Sequence, residues 1–259
     1  LPQCGRRIDG GGRAMICIVL AAGYATRLYP LTENFPKPLL KVGEKTIMDW
    51  LLDDIDATGT VSRYIVVSNH RYAEHFRSWA AEKRLPVDVI DDGSVSNETR
   101  LGAVKDIQFA IDWAHADDDL LVIAGDNVLD FSLRHFIDFA RGRRAPCVMR
   151  FWQSDREKLK KTGVAEVAED GRIVRMEEKP AEPFANWCVP PFYYYPRADA
   201  HYVAEAIREG CGVDAPGSFV AWLSRRTDVF AMEMPGSRYD IGTMETYRDV
   251  QQHYRGIEK

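Results

Sequence analysis

Residues 16–40 read ICIVLAAGYATRLYPLTENFPKPLL, and the fold is decided there. Ile16–Ala22 is an unbroken apolar run that stops at Gly23. A short run without alternation is a strand covered on both faces, as in a parallel sheet. Gly23 admits backbone angles that other residues avoid and leaves room for a ligand against the main chain. Thr26 then supplies a hydroxyl, Arg27 a planar fork of donors and Lys37 a point charge between Pro36 and Pro38. A turn of small residues after a buried strand, followed by two cations, suits a polyphosphate. Backbone N–H groups line the turn and the cations neutralise the oxygens. The two prolines are expected to hold Lys37 in an extended segment. A dinucleotide fingerprint does not fit, because Gly23-Tyr24-Ala25 lacks the three-glycine spacing and no helix is expected at Thr26. No Gly-Lys-Ser/Thr follows, so the loop is not of the Walker type.

Outward from this stretch, 259 residues with a net charge of −5 suit one large α/β domain over residues 15–259. Residues 1–14, rich in Gly and Arg, are expected to be a disordered extension or an expression remnant. The acidic balance argues against nucleic acid as a partner. No apolar run reaches the roughly 20 residues of a membrane span. Cys4, Cys17, Cys147, Cys188 and Cys211 form no CxxC pair, which suggests reduced thiols in a cytoplasmic protein.

Thr46, with Asp49 three residues on, predicts a capped helix with Ile47, Leu51 and Ile55 as its apolar stripe. Strands are expected at Tyr64–Val67 and Pro86–Ile90, with a helix over Tyr72–Arg84 between them. His70 follows the first of these strands, has no evident Asp or Cys partner and is given no role. Leu101, Val104, Ile107 and Ile111 mark a helix face.

Leu120–Ala124 is a further apolar strand, and it runs into Gly125-Asp126-Asn127. A carboxylate at the carboxyl end of such a strand sits where α/β sheets bind ligands, and its oxygens suit a hard divalent cation. Asp126 could instead cap the helix expected over Phe131–Phe139. Asp130 is better placed for that cap, which leaves Asp126 free. After Pro146 shorter alternating strands follow, at Cys147–Phe151, Val164–Val167, Ile173–Met176 and Trp187–Tyr195. They read as an antiparallel extension of a parallel sheet, with Phe192–Tyr195 as core. Helices are expected at Arg197–Glu209 and Gly217–Arg226, a strand at Val229–Met234, and a closing helix capped by Thr243.

The motifs resemble one family. Ala21-Ala22-Gly23-Tyr24-Ala25-Thr26-Arg27-Leu28, then Pro30-Leu31-Thr32 and Pro36-Lys37-Pro38-Leu39, resemble the signature of the sugar-phosphate nucleotidylyltransferases. Ala25 stands where that family usually has a second glycine. The resemblance runs from Met15 to about Tyr254. It implies a mostly parallel Rossmann-like sheet with helices on both faces and an antiparallel acceptor-binding extension. It also implies transfer of a nucleotidyl group from a nucleoside triphosphate to a phosphorylated small-molecule acceptor, with Mg²⁺ as cofactor. Ala21, Ala22, Gly23, Thr26, Arg27 and Gly102 would bind nucleotide, and Arg27 and Lys37 would be catalytic. Asp126 and Asp240 would hold the metal, and Glu178 and Lys179, braced by Pro180, would bind the acceptor. Of the family's base-recognition segment only Leu101-Gly102-Ala103 matches, and its usual glutamine has no counterpart. No β-helix acyltransferase domain of the kind some relatives carry is expected, and homo-oligomers are compatible with the resemblance.

Three functions fit these residues. One is a sugar-1-phosphate nucleotidylyltransferase. Another is a CTP-dependent cytidylyltransferase for a phosphorylated or phosphonate alcohol. The third is a non-catalytic nucleotide-sugar sensor, which would not need Arg27, Lys37, Asp126, Lys179 and Asp240 together.

Overall fold

The computed structural model describes residues 15–258, so the expectation for residues 1–14 lies outside it. The fold is α/β. In chain order it comprises β1 (Met15–Leu20), the short β2 (Lys41–Val42) and β3 (Lys45–Thr46), α1 (Ile47–Asp56), β4 (Val61–Ser68), α2 (Ala73–Ala81) and β5 (Val87–Asp91). Then come α3 (Ala103–Ala114), β6 (Asp119–Ala124), β7 (Asn127–Leu129), α4 (Arg134–Arg143), β8 (Cys147–Trp152), α5 (Arg156–Leu159), β9 (Gly163–Val167) and β10 (Ile173–Glu178). The last elements are β11 (Trp187–Val189), β12 (Phe192–Tyr195), α6 (Tyr202–Arg208), α7 (Gly217–Leu223), β13 (Phe230–Glu233), β14 (Arg238–Asp240) and α8 (Met244–His253). These residues fall into two compact units. The first takes residues up to Arg100, Ala124–Arg134 and the chain from Pro235 onward; the second takes Leu101–Ile123 and His135–Met234.

In the first unit β1, β4 and β5 pair in parallel, with Ile18 opposite Ile65 and Ile65 opposite Asp88. Cys17, Ile18 and Val19 are wholly buried, as an unbroken apolar run in a covered strand must be. The Thr46–Asp49 capping box forms as expected: Asp49 N donates to Thr46 Oγ1 at 3.0 Å, and Thr46 N to Asp49 Oδ2 at 3.2 Å. Thr243 likewise caps α8, through Thr246 N. Ile47 joins Leu28, Leu40, Val42, Val128, Ile241, Tyr247, Val250 and Tyr254 in one cluster. Each such aliphatic side chain contributes about 1.5–3 kcal/mol by leaving water. The sequence from Leu28 onward is thereby tied to the closing helix.

One element of this unit departs from expectation. Asn127–Leu129 forms β7, which pairs antiparallel with β14, Arg238 opposite Leu129 and Asp240 opposite Asn127. Helix α4 therefore starts only at Arg134, and Asp130 does not cap it. The Asp130 carboxylate instead accepts from Ser237 N at 2.7 Å and Tyr239 OH at 3.2 Å. A partner strand far along the chain has outbid the local cap.

In the second unit the strands run in the order β10-β9-β11-β8-β12-β6, all antiparallel, with β13 parallel to β8. This is the antiparallel extension the alternating pattern predicts. The single strand expected over Trp187–Tyr195 is broken in two. Pro190 and Pro191 cannot donate to a ladder, so pairing stops at Val189 and resumes at Phe192. Phe192–Tyr195 is buried throughout, as core. The helix expected from Arg197 begins at Tyr202, after a 3₁₀ turn over Arg197–Asp199. Cys17, Cys147, Cys188 and Cys211 are free thiols. Among the described residues no helix is long and apolar enough to cross a membrane.

Candidate functional site

The turn after β1 is held from several directions. Ala21 N donates to Val67 O at 2.9 Å, and the Asn69 amide donates to Ala22 O at 2.9 Å. Asn69 Oδ1 accepts from Tyr72 N, so the buried amide is used at both ends. Gly23 is exposed with open space around it. Ala25 takes the left-handed conformation, φ +46°, where glycine would sit without strain. Its carbonyl accepts from Leu28 N at 2.9 Å and Thr32 Oγ1 at 2.8 Å. These bonds stabilise the conformation, so the loop survives the alanine. A single 3₁₀ turn does open at Thr26, over Thr26–Leu28, where no helix was expected. It buries Leu28 and leaves Thr26 and Arg27 exposed.

Lys37 differs from expectation in conformation. Only Pro36 is extended; Lys37 begins a 3₁₀ turn over Lys37–Leu39. Its side chain is 7% exposed, and Nζ donates to Asp126 Oδ2 at 2.8 Å. A cation so deeply buried requires a partner. Burial alone would raise the Asp126 carboxyl; the Lys37 charge and hydrogen bond, with Arg238 nearby, outweigh it and hold the group below the ordinary carboxylate value. Asp126 is set in place by Gly125, whose N–H donates to Leu20 O at 3.0 Å. A Cβ at Gly125 would lie 2.9 Å from Val19 Cγ1, so only glycine allows that approach.

Asn127, adjacent, is buried and anchors both ends of its amide: Nδ2 donates to Ala124 O at 3.0 Å, and Oδ1 accepts from Arg238 at 2.9 Å. The β7–β14 register then sets Asp240 opposite Asn127, one residue from Asp126. A Cβ at Gly242 would lie 3.5 Å from Asp240 Oδ2 and 3.8 Å from Arg27 Nη1, so these two side chains border one space. Arg27, Lys37, Asp126 and Asp240, scattered over the sequence, are thus gathered in the first unit. The donor set fits a hard divalent cation that completes its shell with phosphate oxygens and water, which needs only one or two carboxylates. Among the described residues no group of three or more His, Cys, Asp or Glu could hold a metal by itself.

His70 does have a partner, contrary to expectation: Nδ1 lies 2.7 Å from Asp91 Oδ2. The ring is two-thirds exposed, which keeps it a surface pair.

In the second unit Glu178 closes β10 opposite Gly163. Its Oε2 would sit 3.0 Å from a Cβ at Gly163 and would collide with one at Gly217. Two glycines therefore make the slot for this carboxylate. Lys179 follows in the left-handed region, φ +49°, with its N–H on Thr162 O at 3.1 Å. A non-glycine residue held there costs about 1 kcal/mol or more, and Pro180, buried, fixes the next residue. Gly102 has a packing reason of its own: at φ +93°, its Cβ would lie 2.5 Å from Val213 O.

Burial pushes the Glu178 carboxyl up to about 7 from 4.5, against the lowering charge of Lys179. A raised carboxyl means that the folded state holds its proton where the unfolded state has lost it. Stability should therefore fall as pH rises from 4.5 through 7 and then level off. Denaturant titrations across that window should show the slope, and Glu178→Gln should flatten it. An unchanged slope in Glu178→Gln would assign the titration elsewhere.

The signal for Asp126 lay in the buried-strand end, and that for Lys37 in its flanking prolines; their pairing carried none. Asn69, Thr32 and Asn127 carried none, because a polar residue in a loop reads as solvated until its partners are known.

The profile of the Nucleotidyl transferase family matches residues 16–256. The UTP–glucose-1-phosphate uridylyltransferase of Haloferax volcanii is 27% identical, over 92% of this chain and 96% of its own length. The glucose-1-phosphate adenylyltransferase of Geobacillus stearothermophilus is also 27% identical, over 89% of this chain, which spans 63% of that protein. A solved UDP-glucose pyrophosphorylase in complex with UDP-glucose superposes with a TM-score of 0.76 at 19% identity, covering 93% of this chain and 98% of that one. With almost its whole described length matched, and with the loop and the paired strand ends built as above, the chain belongs to the nucleotidyl transferase family.

Proposed function

We propose that this chain transfers a nucleoside monophosphate unit from a nucleoside triphosphate to a sugar 1-phosphate, giving an NDP-sugar and pyrophosphate. Two observations support this reading: the Lys37–Asp126 pair, and the space at Gly242 that Arg27 and Asp240 border. The names of the relatives support the acceptor class.

In this reaction an oxygen of the acceptor phosphate attacks the α-phosphorus. A new P–O bond forms there, the bond to the β-phosphate oxygen breaks, and its electron pair leaves on pyrophosphate. No protein nucleophile is needed, so positioning and charge neutralisation supply the rate. Ala21, Ala22, Gly23 and Thr26 line the turn that receives the phosphates, and Gly102 is assigned to the nucleotide side. Arg27 neutralises charge that grows on the departing pyrophosphate. Lys37 holds the α-phosphate or aligns the attacking one. Asp126 and Asp240 would hold Mg²⁺, which would supply neutralisation of triphosphate oxygens there. Glu178 accepts from a sugar hydroxyl, and the Lys179 ammonium receives the acceptor phosphate. Two phosphates that approach unscreened repel by several kcal/mol, so a fixed cation on the acceptor side is a physical requirement.

Pyrophosphate release on a matrix of triphosphates and acceptors, with Mg²⁺, tests the proposal. Release with sugar 1-phosphates is expected. Release only with phosphoalcohols or phosphonates would replace the acceptor class, and none with any pair would leave a binding protein. Lys179→Ala should raise the acceptor KM at least roughly tenfold and move the nucleotide KM little. The reverse split would take Lys179 away from the acceptor.

A further inference from the structure

Thr32, Asn69 and Tyr72 are polar, and each is 0% exposed. Polar groups buried so completely need partners, and these three serve one another and the Gly23 turn. The Tyr72 N–H donates to Asn69 Oδ1 at 3.0 Å, and the Asn69 amide donates to the Ala22 carbonyl at 2.9 Å. The Tyr72 hydroxyl donates to Thr32 O at 2.6 Å, and the Thr32 hydroxyl donates to the Ala25 carbonyl at 2.8 Å. The Tyr72 ring lies 5.9 Å, centroid to centroid, from that of Tyr24. One buried tyrosine is thus joined to Ala22, Tyr24 and Ala25, on both sides of Gly23.

The consequence falls on the N–H groups. The Ala22-Gly23 and Ala25-Thr26 peptides are trans, so each N–H points opposite to its carbonyl. Both carbonyls are drawn to buried side chains. The Gly23 and Thr26 N–H groups are thereby turned the other way, and no described residue accepts from either. Backbone N–H groups held in this manner suit an anionic oxygen. Ala25 itself sits at φ +46°, ψ +42°, a conformation that costs alanine more than glycine. The Thr32 hydroxyl, fixed from behind by Tyr72, offsets that cost.

We propose that Tyr72 is a positioning residue of the phosphate turn: through Asn69 and Thr32 it holds the Ala22 and Ala25 carbonyls toward the core, aims the Gly23 and Thr26 N–H groups at a triphosphate, and keeps Ala25 in the left-handed conformation. The proposal rests on the nucleotidylyltransferase reading above and goes beyond it, because Tyr72 and Thr32 act on the reaction only through the turn.

Tyr72→Phe and Thr32→Val each delete one hydroxyl and keep the shape of the side chain. Both are to be measured alone and together with Ala25→Gly. The measurements are equilibrium binding, with Mg²⁺, of inorganic tripolyphosphate and of ATP, CTP, GTP, UTP and dTTP, the Michaelis constants for triphosphate and sugar 1-phosphate, and a melting curve. Each substitution is expected to weaken tripolyphosphate and the best-bound nucleotide by the same factor, at least roughly fivefold, and to move the sugar 1-phosphate KM by less than about twofold. The loss should shrink when Ala25→Gly is present, because glycine takes the left-handed conformation unaided. A hydroxyl that only stabilises the fold would lower the melting temperature without this split and without this rescue. Triphosphate binding within roughly twofold of the parent's in both variants overturns the proposal. So does an equal rise in both Michaelis constants, a loss confined to the nucleotides, or a loss that Ala25→Gly does not reduce. If Thr32→Val fails to fold, Tyr72→Phe decides alone. The expected binding losses without pyrophosphate release on any sugar 1-phosphate would keep the positioning role and remove the transferase reading. Turnover on a sugar 1-phosphate, with variants that bind triphosphate as the parent does, would do the opposite. A parent that binds neither tripolyphosphate nor any of these nucleotides overturns both.

Discussion

Arg27→Ala is expected to lower turnover by roughly 10²–10⁴-fold and leave the fold intact. Arg27 is exposed, in a 3₁₀ turn whose only buried side chain is Leu28. The core contact is made by the neighbour, so truncation of Arg27 removes charge without opening a cavity. Its guanidinium borders the space at Gly242 that Asp240 also borders. A preorganised cation there acts on charge that develops as pyrophosphate departs, which is why the loss falls on turnover. Arg27→Lys should recover only part of it, because a point charge does not reproduce a planar fork. Steady-state kinetics with a melting curve for each variant decide the matter. Near-normal turnover in Arg27→Ala would take the residue out of the mechanism.

The second large effect concerns Asp126 and Asp240. A chelator should abolish turnover and Mg²⁺ should restore it. Asp126→Asn and Asp240→Asn should each raise the Mg²⁺ concentration required, since each removes one anionic oxygen donor. Their effects on stability should differ. Asp126 neutralises the buried Lys37 at 2.8 Å, so Asp126→Asn should also cost about 1–3 kcal/mol in a denaturant titration. Asp240 is exposed and carries no such burden, so Asp240→Asn should leave stability close to the parent's. If both variants keep the parent's metal dependence, the metal assignment is wrong. Asp126 also has two claimants in this arrangement, a cation and Lys37.

The covered strand of Ile16–Ala22, the turn at Gly23, the caps at Thr46 and Thr243 and the antiparallel run after Pro146 were all legible in the sequence. Each rests on a local cause: apolar continuity, backbone freedom at glycine, a side-chain oxygen beside unpaired N–H groups, or a period of two. Arg27 and Asp126 were legible because they follow apolar strands, and Lys37 because two prolines flank it. What the tertiary structure alone decided is non-local. Asp130 reads as a cap, yet Ser237 and Tyr239, more than a hundred residues away, claim it. The pairing of β7 with β14, which brings Asp240 beside Asn127, has no signal in either three-residue strand. Lys37 reads as an extended cation awaiting phosphate, and only the fold shows it in a 3₁₀ turn, buried and paired with Asp126. A sequence states which groups can donate, accept or carry charge. Which of them lose water, and opposite what, depends on the long-range register of strands, and that the chain settles only on folding.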